Sequence, residues 1–225
     1  MTDHLNTQFH LQRELVEDRI QHSLAMDREQ HRYVVPLRAL ENIEQLTFMT
    51  QELLTALLQH IPLRRDCELI FPYRHTMPQV YHLDPQSMQV GQTFILESKL
   101  LDLMNNMRSV FGTYLVKGIS HMLPAQVYGV DHTNQKVMAL YIPPLVENCK
   151  EKPVLVDGMH RSYLCLAAGT TITAVHLIDV QSPLPFDPIN WRQVNIVQER
   201  PLIEERYKNL QKEYYRDLGY VGIDG

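Results

Sequence analysis

The residues whose types and spacing suit chemistry lie together at Asp157-Gly158-Met159-His160-Arg161. A short apolar run, Val154-Leu155-Val156, reads as a buried strand leading in, and a helix from about His160 to Ala168, closed by Gly169, leads out. A helix presents unsatisfied N–H groups in its first turn and carries about half a positive elementary charge there, so anions are stabilised at that end. Gly158, lacking Cβ, would let a phosphate approach the backbone, while His160 and Arg161 add side-chain donors, the latter as a planar fork suited to phosphate oxygens. Asp157, at the end of the strand, is placed to hold a magnesium ion bridging phosphates or to accept a proton from an attacking hydroxyl. The same letters also serve a plain chain reversal, because Asp-Gly is a common turn dipeptide and Asp a favoured helix cap. Both readings stand at this point.

The elements that must position this turn follow from periodicity. Leu11, Leu15, Ile20 and Leu24 predict an exposed helix between about 5 and 32. Leu40, Ile43, Leu46, Leu53, Leu54, Leu57 and Leu58 predict a second helix over 39–60, stopped by Pro62. Residues 68–71, 79–83 and 92–96 read as short strands between prolines, and a helix is expected after Glu97, ending near Gly112. Residues 126–130 and 136–142 predict a hairpin around Asp131-His132-Thr133-Asn134. Beyond the turn, 171–180 reads as a β-branched strand, 183–188 as a proline-rich connector, and 199–218 as an amphipathic helix.

Composition bounds the rest. The chain has 225 residues with 44% hydrophobic content, long enough for a real core and inconsistent with overall disorder. With 26 acidic against 21 basic side chains there is no basic excess for non-specific nucleic-acid binding, though a local basic patch stays open. No apolar run approaches the ~18 residues of a membrane span, and the opening residues lack the pattern of a signal peptide. Cys67, Cys149 and Cys165 form neither a paired framework nor a C-x-x-C motif. The expectation is a cytoplasmic protein with no membrane partner.

Residues 154–161, followed by Ala167-Ala168-Gly169 and a Thr/Ile/Val strand, resemble the signature segment of the ParB/sulfiredoxin-like superfamily. In that superfamily a strand enters a Gly-x-His-Arg or Gly-x-Arg-Arg turn, and the following helix N-terminus binds nucleotide phosphates. The likeness covers 151–180 well and extends more loosely back to about 97. Sulfiredoxins carry a nucleophilic Cys where this chain has Met159, which argues against sulfinic-acid reduction. ParB partition proteins follow the domain with a helix-turn-helix, whereas only about 45 residues remain here after Val180. The Asp-Gly-x-His-Arg form is most similar to the free-serine-kinase-like branch.

The resemblance implies an α+β (mixed α/β) fold, with a ParB/sulfiredoxin-like domain at 97–182 between an N-terminal helical and β extension (1–96) and a C-terminal helical appendage (183–225). It implies Asp157 and His160 as catalytic residues and Asp157 as the magnesium ligand. Gly158, Met159, His160, Arg161 and Ser162 become the nucleotide-binding segment, with ATP or CTP and Mg2+ as cofactors. The expected activity is phosphoryl transfer to a small-molecule acceptor, or nucleotide hydrolysis. Two alternatives are a non-catalytic nucleotide-sensing or protein-interaction module, and a ParB-like nuclease or DNA-modification accessory, which the acidic balance disfavours.

Other candidates carry weaker signals. The 11 histidines show no recognised metal-ligand spacing, and His176 is expected as a hydrogen-bonded core imidazole. Glu147 reads either as a second carboxylate beside Asp157 or as a solvated loop charge. Arg64-Arg65 and Arg74-His75 read as surface charge, and the glycine-rich end, 219–225, as a segment able to fold back as a strand or lid. Cys165 is expected to be a small core residue.

Overall fold

A computed structural model of the chain describes residues 10–24, 29–63, 68–110, 121–149 and 152–223. The elements in chain order are β1 (Leu11–Gln12), α1 (Arg13–Ile20), β2 (Tyr33–Val34), β3 (Leu40–Phe48), α2 (Gln51–Gln59), β4 (Gln79–Leu83), β5 (Gln89–Val90), β6 (Phe94–Leu96) and α3 (Glu97–Val110). They continue with β7 (Ala125–Asp131), β8 (Lys136–Tyr141), β9 (Leu145–Cys149), β10 (Lys152–Leu155), α4 (Met159–Ala167), β11 (Ile172–Leu177) and β12 (Asn195–Val197). Content is mixed α and β, as the α+β expectation requires. The chain divides into two compact units, one built from 1–61, 124–142 and 217–225, the other from 62–123 and 143–216.

The first unit holds a five-stranded sheet in the order β1-β2-β8-β7-β3. The expected hairpin is β7 and β8, closed by the Asp131 carboxylate, which accepts from Thr133 N (2.8 Å), Thr133 Oγ1 (2.7 Å) and Gln135 N (3.0 Å). The single helix expected over 39–60 is instead β3 followed by α2, with Thr50 between them as N-cap accepting from Leu53 N. The reason lies in the register. Leu40, Ile43 and Leu46 face Asp131, Gly129 and Val127, so three residues of β3 match every two of β7 through successive bulges. A bulge adds one residue to the strand's period of two, and apolar side chains then recur at i, i+3 as in a helix. Gly129 accommodates the distortion, since a Cβ there would overlap the Asn42 carbonyl oxygen.

The helix expected over 5–32 is likewise shorter. Among the described residues it spans only α1 and ends where Gln21 turns left-handed (φ 51°). Val16 and Ile20 form its buried face, whereas Leu15 is exposed; Arg13 and Glu17 are buried as an ion pair at 3.1 Å. The glycine-rich end packs within this unit. Ile223 bridges Leu140, and Arg19 donates to Tyr220 O (2.6 Å) while lying 4.1 Å from its ring centroid.

The second unit holds a mixed sheet in the order β4-β11-β9-β10-β5. β10 is interior as expected, antiparallel to β9 and parallel to β5, with Val154 and Leu155 buried. Residues 68–71 form no strand; the Ile70 carbonyl instead accepts from Leu63 N at 2.8 Å. A separate parallel pair joins β6 to β12.

The expected C-terminal helix over 199–218 is absent, replaced by short 3-10 turns at Ile203–Glu205 and Lys212–Tyr214, with a third beginning at Leu218. The carbonyls an α-helix would need are engaged elsewhere: Lys208 O accepts from Asp187 N (2.8 Å) and Arg206 O from Thr93 N (3.0 Å). These long-range bonds prevail over a periodic pattern that has no helix of its own to join.

Candidate anion site at the start of α4

The strand-to-helix turn is tied to the first residue of β9. Leu145 O accepts from Val156 N (2.9 Å) and Leu145 N donates to Asp157 O (3.2 Å). Gly158 then adopts φ 86° and ψ 26° as the N-cap of α4, and its carbonyl takes the first helical bond from Ser162 N (3.0 Å). A Cβ at Gly158 would lie 2.7 Å from two Pro144 carbons, so glycine is required here both by its dihedrals and by the approach of Pro144. Having no side chain, Gly158 supplies no capping oxygen. Asp157 sits one residue before the cap, with its carboxylate paired to Arg161 Nη2 at 3.3 Å.

His160 lies in the first turn of α4 and reaches the start of α3, where its Nε2 accepts from the backbone N–H of Leu96 (3.1 Å). An imidazole that accepts at Nε2 carries its proton on Nδ1, leaving that N–H as a donor with no protein partner among the described residues. Burial, reinforced by Lys99, Arg200 and Arg161, lowers the pKa of His160 to about 4, so the ring is neutral at pH 7. Three cations thus act on the ring, Arg161 among them paired with the Asp157 carboxylate, and the ring lies beside the N-termini of two helices. The arrangement favours an anion.

The other residues of the turn take different places. Met159 is buried in the core with Val90, Ile95, Val146, Leu155 and Ala174. Ser162 is fully buried, and its Oγ has no hydrogen-bond partner among the described residues. Of the expected nucleotide-binding segment, His160 and Arg161 are therefore partly exposed, while Met159 and Ser162 are enclosed in this arrangement.

Glu147 fits neither sequence reading. It is 2% exposed, clamped by Arg216 Nε on Oε1 (2.9 Å) and Nη2 on Oε2 (2.8 Å), with Tyr73 donating to Oε1 (2.5 Å). Arg216 also donates to Pro183 O (2.8 Å) and Tyr214 O (2.5 Å), so this buried carboxylate fastens the C-terminal segment to the sheet. Cys165 is a core residue whose thiol pKa is raised by burial to about 11, which leaves it inert. His176 is only half-buried, hydrogen-bonded to Asn148 Oδ1 at 2.9 Å. Arg64 and Arg65 lie outside the described residues, and Arg74 and His75 are exposed.

Among the described residues no group of three or more His, Cys, Asp or Glu side chains is arranged to hold a metal, and no helix is long and apolar enough to cross a membrane. Asp157 would thus be the one carboxylate at the turn for magnesium. That donor set fits an ion carried largely by phosphates and water rather than a protein cage. Lys99, Arg200 and the Leu96 N–H escaped the sequence reading, because they lie far along the chain from α4: Leu96 and Lys99 at the β6–α3 junction, Arg200 just beyond β12, which pairs with β6. No protein-family model, curated protein or solved structure matches the chain.

Proposed function

We propose that the second unit binds the phosphate groups of a nucleotide, ATP or CTP, at the start of α4, as a ParB/sulfiredoxin-like enzyme of phosphoryl transfer to a small molecule or of nucleotide hydrolysis. The observation that carries the reading is the neutral His160 with its unengaged Nδ1–H among Lys99, Arg161 and Arg200. Nδ1–H donates to a phosphate oxygen. Arg161 exchanges its bond to Asp157 for a stronger one to the dianion, as charge-assisted bidentate pairing favours. That exchange takes the Arg161 bond off the Asp157 carboxylate, which would then accept a hydroxyl proton or meet magnesium carried on the phosphates. Magnesium, when bound, neutralises charge developing on the transferred group.

A second reading, a nucleotide sensor without turnover, draws support from the same Asp157–Arg161 pair: while it persists, Asp157 is not available as a base. A panel of ATP, CTP, GTP and ADP with and without magnesium, read by thermal shift and then by phosphate release, separates the two. Binding with turnover is the expected outcome, binding alone selects the sensor, and no stabilisation by any nucleotide overturns both.

A further inference from the structure

The C-terminal segment brings a cation to the site from outside the turn. β12 runs parallel to β6 with Leu96 opposite Val197, so the two chains leave the pair side by side. Three residues beyond Leu96 is Lys99, in the first turn of α3; three residues beyond Val197 is Arg200. The Arg200 loop is held at both ends against the same strand. Asn195 N donates to Thr93 O (3.0 Å) on one side, and on the other Thr93 N donates to Arg206 O (3.0 Å) and Thr93 Oγ1 to Glu205 O (2.5 Å). Arg206 Nε closes the loop internally on Pro201 O (2.8 Å). An exposed arginine on a backbone pinned at both ends gives up less freedom on binding than one on a loose tail.

We infer that Lys99 and Arg200 are further phosphate-binding residues, holding the outer groups of a polyphosphate chain whose first phosphate lies on His160 and Arg161. The inference rests on the phosphate-binding reading of the α4 turn. At a monophosphate the single Arg161 cation, the neutral His160 donor and a helix N-terminus meet part of the charge; each added phosphoryl group brings further charge. Lys99 and Arg200 supply the matching cations. Lys99, Arg200 and Arg161 each act on the imidazole as positive charges, and of these Arg161 is the one paired with the Asp157 carboxylate at 3.3 Å.

The test is calorimetric titration of the full chain with inorganic phosphate, pyrophosphate and tripolyphosphate at one ionic strength, for the parent and for Lys99→Gln, Arg200→Gln and Arg192→Gln. Arg192 is an exposed cation of the same segment with no place in the site, and its loss controls for net charge. The parent should bind more tightly as the chain lengthens. Lys99→Gln and Arg200→Gln should each weaken tripolyphosphate about tenfold and leave orthophosphate within about twofold, while Arg192→Gln changes neither. If Lys99→Gln unfolds the protein, Arg200→Gln, an exposed position, decides alone. A parent affinity independent of chain length, or an Arg200→Gln series equal to the parent's, overturns the inference and leaves the α4 reading intact so long as Arg161→Ala weakens binding of all three anions about tenfold or more. No binding of any of the three anions overturns both.

Discussion

The backbone N–H of Leu96 donates to Nε2 of His160 across 3.1 Å, joining the start of α3 to the start of α4 and choosing the imidazole tautomer. One hydrogen bond therefore positions the ring, keeps Nε2 unprotonated and directs the remaining proton to Nδ1. Long-range nitrogen–proton NMR correlations at pH 7 should show a single neutral Nδ1–H form for His160. An Nε2–H form or a rapidly averaging ring would contradict the geometry.

The same bond has a pH signature. The imidazole pKa is about 4 in the folded chain against 6.5 without the fold, so between these values the unfolded state binds more protons. The His160 contribution to stability is then present above about pH 6.5 and is lost as pH falls toward 4. Urea unfolding of the parent and of His160→Gln should give stability curves that diverge at neutral pH and converge as the buffer is acidified. Parallel curves across that window would mean that the ring titrates normally.

Arg161→Ala removes one charge-assisted contact from a bound phosphate. Nucleotide affinity should fall by about 1.5–3 kcal/mol, roughly ten- to a hundredfold, and equilibrium titration measures it. An unchanged dissociation constant would mean that the turn serves only the fold.

Gly158 and Gly169 flank α4, both at positive φ, but in different surroundings. A Cβ at Gly158 meets Pro144, whereas at Gly169 it meets nothing within 4 Å. Gly169→Ala should cost about 1 kcal/mol from the left-handed conformation alone, and Gly158→Ala at least about twice that because Pro144 must also move. Denaturation midpoints compare the two directly.

Glu147→Gln leaves the Arg216 guanidinium buried without its counter-charge, a loss of about 3–5 kcal/mol. Tyr73→Phe removes the phenolic hydroxyl, which donates to Glu147 and accepts a long bond from Arg216 Nε (3.4 Å), but leaves the ion pair in place, and should cost about 1–2 kcal/mol. The order of the two, read from chemical denaturation, is the informative quantity. Equal effects would place the stabilising interaction on Tyr73 rather than on the ion pair.

Where local chemistry agreed with long-range pairing, the elements were legible in the residues. β10, the Asp157-Gly158 reversal, α4, β11 and the β7–β8 hairpin each have their own turn residues, and each forms near its expected bounds. Residues 40–48 misled because bulges in β3 imitate helical spacing, a fact visible only beside Gly129. Residues 199–218 misled because their carbonyls bond to Thr93 and Asp187, more than ten residues away in sequence.

The amino-acid sequence by itself determined the local form of the candidate site: a glycine where the chain must turn left-handed, a helix start behind it, and His160 and Arg161 on its first turn. Tertiary structure alone decided the charge and reach of those groups. The tautomer of His160, the approach of Lys99 and Arg200, and the burial of Glu147 all arise between segments distant along the chain, whereas Asp157 and Arg161 pair across a single turn. Electrostatic environment depends on distance through space, and a linear order of residues does not carry it.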